Sequence, residues 1–274
     1  MKVKASRIDY SKAMLPRTRK AQLGDCFKMN YGVILKCGLM LLLFFIPLLA
    51  FCLYMDFFYI SLMENSVEDI EQTKNLFFYI LYGGIVLLSL PVILAISGIT
   101  HVLRNLIWGE GIYFRSDFFA GIRQNAPKNI VFGLITGLIF LISYFIHSLF
   151  DIPVITYFPL GVFALIFFPV YFWMIFLNNT YSSKWLELIK NGFFFYIKNI
   201  GWSLLGILMP LSLIALMMIP FSYIWLKYIF LTLFVVFVFP IIFLIMTLFT
   251  TAKFDQCINK EYYPDYYLKG LNHE

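Results

Sequence analysis

The amino-acid sequence predicts an all-α, polytopic transmembrane bundle: six membrane helices in three hairpins, joined by interfacial amphipathic helices, with both termini in the cytoplasm. Three observations carry that expectation. Of 274 residues, 61% are hydrophobic and only 13% charged, against about 25% charged in a soluble domain. That leaves too little polar surface to cover a water-facing fold of this length. Apolar runs of the length a helix needs to cross hydrocarbon recur along the chain, without the alternating pattern of barrel strands. The cations, finally, segregate to one set of connecting segments.

The apolar runs fall at 33–55, 76–100, 130–150, 158–177, 200–220 and 224–250. The third and fourth are separated by a short link at Asp151 and Pro153, the fifth and sixth by Pro220 and Ser222. Links this short force hairpins, and merging either pair would give a helix about twice the bilayer thickness. The chain divides into a basic cytoplasmic arm with an interfacial helix at 1–32, a six-helix domain at 33–250, and a cytoplasmic tail at 251–274. The polar, basic beginning does not read as a cleavable signal peptide, so the first span is the expected insertion signal.

Charge sets the orientation. The arm carries Lys2, Lys4, Arg7, Lys12, Arg17, Arg19, Lys20 and Lys28. The segment after the second span adds Arg104, Arg115, Arg123 and Lys128, that after the fourth Lys184, Lys190 and Lys198, and the tail Lys253, Lys260 and Lys269. All share one side if six spans are real. The other side has Lys74 alone among Asp56, Glu64, Glu68, Asp69 and Glu71, in an acidic outer loop expected at 56–75. This is the positive-inside pattern. It makes the net charge of +6 a matter of topology and of attraction to an anionic inner leaflet, not of nucleic-acid binding. Trp108, Trp185, Trp202 and Trp225 fall near span ends, where indoles favour headgroups, and Lys36 and Lys227 are close enough to span ends to snorkel.

Each outward-going span follows an amphipathic stretch. In 183–198, Trp185, Leu186, Ile189, Phe193 and Ile197 share one face, and Lys184, Glu187, Asn191 and Lys198 the other. The stretch 116–125 reads similarly, with Phe118, Phe119 and Ile122 apolar, Ser116 as N-cap and Pro127 expected to break the helix. Leu23, Phe27 and Tyr31 form a shorter version. Lys128-Asn129-Ile130 and Lys198-Asn199-Ile200 match locally, which suggests parallel repeats.

Chemistry is sparse. No carboxylate lies inside an apolar run, although such groups are the usual handles of ion pumps. The hydroxyls at Ser89, Ser97, Thr136, Ser143, Ser203, Ser212, Thr232 and Thr247 are expected to bond carbonyls of their own helix. His147 is expected at the outer interface, and with His101 and His273 it does not describe a metal site. Cys26, Cys37, Cys52 and Cys257 lack paired spacing and read as reduced packing residues. Prolines at 47, 91, 159, 169, 210 and 240 place at least one in five of the six spans, read as kinks before broken transport helices. Gly133 and Gly137 allow close helix approach. No hydrolase, kinase or dinucleotide fingerprint is present, so neither an enzyme nor a cofactor is expected.

The run from Gly109 to Asn125 (GEGIYFRSDFFAGIRQN) resembles the signature of the YesL-like family of bacterial integral membrane proteins. KNGFFF from Lys190 and the tail run FDQCINKEYYPDYYLKGL from Phe254 fit the same resemblance. Gly111, Phe114, Arg115, Phe118, Phe119 and Asn125 become the candidate partner-binding residues. The resemblance implies a multi-pass protein of the bacterial plasma membrane with a role near carbohydrate uptake and use. Expected partners are the lipid bilayer and a transporter or sensor membrane complex, with self-association open. A non-enzymatic accessory role is the leading expectation, and a sugar-type permease working through proline-broken helices the alternative. The basic arm and acidic outer loop are additions to the family pattern.

Overall fold

The computed structural model describes residues 2–3, 15–64, 70–149, 153–205 and 224–272. Helix α1 spans Arg19–Glu64, α2 Ile70–Ile107 and α3 Phe114–Leu149. Helices α4 (Pro153–Val162) and α5 (Phe168–Thr180) form one rod through a π-helical turn at Phe163–Phe167. Then come α6 (Trp185–Lys198) and α7 (Ile200–Leu205). Helices α8 (Ile224–Leu233) and α9 (Phe239–Phe254) are joined by a second π-helical turn, Phe234–Val238. A third such turn at Asp255–Asn259, a short α10 (Lys260–Tyr262) and a 3₁₀ turn (Pro264–Tyr266) follow. The strands β1 (Lys2–Val3) and β2 (Tyr181–Ser182) make one two-residue antiparallel pairing.

The protein is an all-α helical membrane bundle. Among the described residues, five segments are long and apolar enough to cross a membrane: Arg19–Leu62, Asn75–Ile107, Phe114–His147, Tyr157–Thr180 and Ile224–Tyr262. The remaining predicted span, 200–220, is helical through α7, and the rest of it lies outside the described residues with its hairpin link. Neighbouring spans run in opposite directions, as α2 and α3 show. Gly98 faces Phe118, Ile93 faces Gly133, Val86 faces Gly137, and Tyr82 meets Tyr144 with ring centroids 4.4 Å apart.

Two of the prolines explain the first two π-helical turns. Proline has no N–H, and its ring crowds the carbonyl four residues back. Just before Pro169, the Phe168 amide reaches back five residues to the Phe163 carbonyl; before Pro240, the Phe239 amide does the same to Phe234. The carbonyls these prolines release must find other partners in a medium without water. Tyr196 donates to the Leu165 carbonyl at 2.7 Å. The Val236 carbonyl lies against Gly38 of α1, where a Cβ would overlap it. Gly38→Ala must therefore push α1 off the second π-helical turn. We expect it to destabilise the folded protein by about 1–3 kcal/mol, read as a lower thermal midpoint in detergent, whereas Gly24→Ala, with open space around it, leaves the midpoint unchanged.

Several expectations need correction. Pro127 does not end a helix, for α3 continues through it; Pro127 and Arg123, whose carbonyl it deprives of a donor, are both exposed residues. Ser116 is not the cap, because the Asp117 carboxylate accepts the Tyr113 amide at 2.8 Å. The outer loop does not begin at residue 56, since the aromatic run Phe57, Phe58 and Tyr59 carries α1 on to Glu64. Helix α1 likewise runs through the boundary at residue 32, interrupted only by a kink at Asn30 (φ −123°, ψ 21°). Asn199 between α6 and α7 has a similar backbone (φ −128°, ψ 41°), whereas its sequence counterpart Asn129 stays helical within α3.

Other expectations hold. Ser89, Ser97, Thr136, Ser143, Ser203, Thr232 and Thr247 each donate to a carbonyl three or four residues back. Ser212 lies outside the described residues. Lys36 is exposed and can snorkel. Lys227 does not: it is 2% exposed and ion-paired with Asp56 of α1, which also accepts the Tyr228 hydroxyl at 2.9 Å. Trp185, Trp202 and Trp225 are exposed, but Trp108 is buried. Cys26, Cys37 and Cys52 are buried free thiols.

Candidate functional site: an aromatic and basic face over a buried polar clamp

At the end of the bundle that carries the cation-rich segments, α2, α3 and α5 converge on a buried polar cluster. Helix α2 contributes Ser97, Thr100, Arg104 and Asn105, α3 Asn125 and Asn129, and α5 Asn178 and Asn179, none more than 6% exposed. Close approach of α2 and α3 makes the cluster possible. A Cβ on Gly121 would stand 2.5 Å from the His101 Cβ, and one on Gly98 2.7 Å from the Phe118 ring.

Successive asparagines on a helix point about 100° apart, and α5 uses that divergence. Asn178 donates to the Asn125 carbonyl and to Asn129 Oδ1, both at 2.9 Å. Asn179 donates to the Thr100 carbonyl at 2.7 Å and accepts from Asn125 Nδ2 at 3.0 Å. Asn129 in turn donates to Ser97 Oγ at 2.8 Å. Arg104 donates from Nη1 to the Asn179 carbonyl at 2.6 Å and from Nη2 to Asn105 Oδ1 at 2.9 Å. Its guanidinium lies 4.7 Å from the Trp108 ring centroid. This is a clamp whose donors and acceptors answer each other, the condition under which buried polar groups stabilise.

The chain ends tie to the same clamp. Lys269 pairs with Glu110 at 2.8 Å and also sits over Trp108. Burial draws its ammonium below the ordinary lysine value, Glu110 pulls it back up, and Arg104 adds a smaller downward push. Arg19 pairs with Asp255 at 2.8 Å, Asn259 donates to Asp255, and Tyr181 donates to Asn259. Gln22 donates to the carbonyls of Ile107 and Gly270, and the Asn272 amide to that of Pro16. The beginning of α1 and the tail therefore lie at one end of the bundle.

The six candidate residues divide between clamp and surface. Asn125 is fully buried in the clamp and Phe118 fully buried in the core, where its ring lies 6.0 Å from Phe44. Neither is placed to touch a partner. Arg115 is exposed and Phe119 half exposed, while Phe114 and Gly111 are partly covered. Arg115, Phe119 and Arg123 follow one another at four-residue spacing, so they form one stripe on α3. With Tyr113, Phe114, Ser116 and Ala120 they line a shallow concavity of about 720 Å³. No carboxylate lines it.

Reading the sequence missed most of the clamp. In the sequence Arg104 reads only as a topological charge. The available signals were an arginine followed by asparagine inside an apolar run, and two consecutive asparagines closing the fourth span. A second concavity of about 360 Å³ lies between α1, α2, α3, α5 and α9. Its hydroxyls, Ser89, Thr136 and Tyr171, all donate to backbone carbonyls. Among the described residues, no group of three His, Cys, Asp or Glu side chains converges as metal donors.

Fold and site together define a multi-pass α-helical membrane protein with an exposed aromatic and basic patch above an internally satisfied polar clamp. Comparison with protein-family models, with curated proteins and with solved structures finds no match for this chain.

Proposed function

We propose that the protein is a non-enzymatic accessory component of a bacterial plasma-membrane complex, engaging a transporter or sensor through the Arg115, Phe119 and Arg123 stripe of α3. One observation carries the reading. The groups of the clamp answer one another, and beside it α3 presents an outward aromatic and basic stripe in a concavity that no carboxylate lines. Exposed aromatics beside arginines are the composition favoured at recognition surfaces. The link to carbohydrate uptake, and membership of the YesL-like family, rest on the sequence motif from Gly109 to Asn125. The apolar concavity gives the permease alternative little support, since a sugar there would forfeit hydrogen bonds that the lining hydroxyls already give to the backbone.

The test is capture of membrane complexes from the native host by the immobilised full-length protein, followed by identification of the bound membrane proteins. R115E/R123E should reduce capture of a transporter or sensor subunit by about tenfold or more, on the order of 1.4 kcal/mol, while the thermal midpoint stays unchanged. Undiminished capture by that variant, or sugar flux in proteoliposomes holding this protein alone, would overturn the accessory role.

A further inference from the structure

We infer that the outward face of α6 is a docking surface for anionic phospholipid of the adjoining leaflet. The amphipathic pattern in 183–198 predicts one apolar and one polar face, but the structure divides the helix differently. Leu188, Gly192, Phe195 and Tyr196 are buried, with Gly192 against Val170 and Met174 of α5. The predicted apolar face turns away from the bundle instead. Leu186 is 71% exposed and Ile197 69%, with Phe193 and Phe194 beside them. A soluble protein would not leave such a contiguous apolar surface uncovered. Here the same surface continues directly into exposed Ile200 and Trp202 of α7, at the start of the fifth predicted span.

Charge selects the occupant. Lys184, Lys190 and Lys198 are exposed on this helix, and the Lys198 ammonium lies 5.4 Å from the Phe194 ring centroid. The helix has one carboxylate, Glu187, and it accepts the Lys184 backbone amide at 3.1 Å. Aromatic and aliphatic side chains set among lysines on one amphipathic helix fit the boundary between acyl chains and anionic headgroups. A second copy of the chain fits poorly, because a two-fold contact through this face would bring lysines toward lysines. This inference concerns α6 and does not depend on partner capture by α3.

The experiment compares the full-length protein in detergent with added dioleoylphosphatidylglycerol or dioleoylphosphatidylcholine, using native mass spectrometry and thermal unfolding. The wild type should retain the glycerol lipid preferentially and gain thermal stability from it. With each lysine worth roughly fivefold in affinity, K184Q/K190Q/K198Q should lose on the order of 100-fold. K184R/K190R/K198R should bind as the wild type does, and K260Q, at an exposed tail lysine, should be unaffected. A wild type without preference between the two lipids overturns the inference, as does a triple glutamine variant that keeps the preference. Efficient dimer cross-linking through Phe193→Cys in phosphatidylglycerol bilayers would also overturn it, by assigning the face to a second copy.

Discussion

Asp56→Asn is expected to be among the most damaging single substitutions in the protein. The carboxylate pairs with Lys227, whose side chain is 2% exposed, and accepts the Tyr228 hydroxyl at 2.9 Å. The pair joins α1 to α8. Asparagine preserves shape and some hydrogen bonding but removes the charge opposite a buried ammonium. Removing one partner of a buried ion pair costs about 3–5 kcal/mol, whereas replacing both by apolar groups of similar size is often neutral. D56N should therefore lower the thermal midpoint sharply, and D56N/K227M should recover most of the loss. Unfolding followed by tryptophan fluorescence would read this out, because Trp225 packs edge-on against Phe57 close to the pair. A D56N protein within about 0.5 kcal/mol of the wild type would show that the contact contributes nothing.

Arg104→Leu is the second large effect, at the opposite end of the bundle. It leaves the Asn179 carbonyl and Asn105 Oδ1 without the donors they have now, in a site where Arg104 itself is 2% exposed. Each unsatisfied buried group costs about 1–3 kcal/mol, and loss of the ring contact with Trp108 adds to that. A total of about 3–5 kcal/mol follows. Arg104→Lys should recover little, because one ammonium does not reproduce the planar fork that reaches two acceptors in different directions. Arg115→Leu, on the exposed stripe, should change stability by less than about 0.5 kcal/mol. Thermal unfolding of the three variants decides the matter: equal midpoints for R104L and R115L would mean that the clamp is not a stabilising element.

The two substitutions bear on how the protein is put together from its sequence. Lys227 was legible as a cation near the end of an apolar run, and Asp56 as an acid just past the end of another. That they meet was not legible, because two residues 171 positions apart share no local pattern that specifies the contact. The amphipathic helix α6 shows a related limit. Its apolar periodicity is strong, yet period alone does not say which arc meets protein and which meets lipid, since both are apolar surroundings. In water those readings would separate, because only one arc could be apolar.

The clamp was hidden for a different reason. Asn125, Asn129, Asn178 and Asn179 look like loop-edge or interface residues one at a time, and asparagine is as common at helix ends as in buried networks. Only pairing across three helices turns them into a set of mutually satisfied donors and acceptors. Of the candidate residues, Arg115 and Phe119 are exposed. Phe118 and Asn125, which share the same motif, face inward because positions three and ten residues on from Arg115 fall on the sides of α3 that pack against α2 and α5.

By itself the sequence determined the solvent and the architecture: apolar runs of bilayer length, repeated with cations kept to one set of connections, dictate a helical membrane protein. Those are properties of each segment in contact with lipid or water, and they need no knowledge of neighbours. Tertiary structure alone decided which helices touch, where the proline-released carbonyls find partners, and how Arg104 and Lys227 are neutralised. Such outcomes depend on groups distant in sequence meeting within hydrogen-bonding reach, and no local propensity encodes a meeting of that kind.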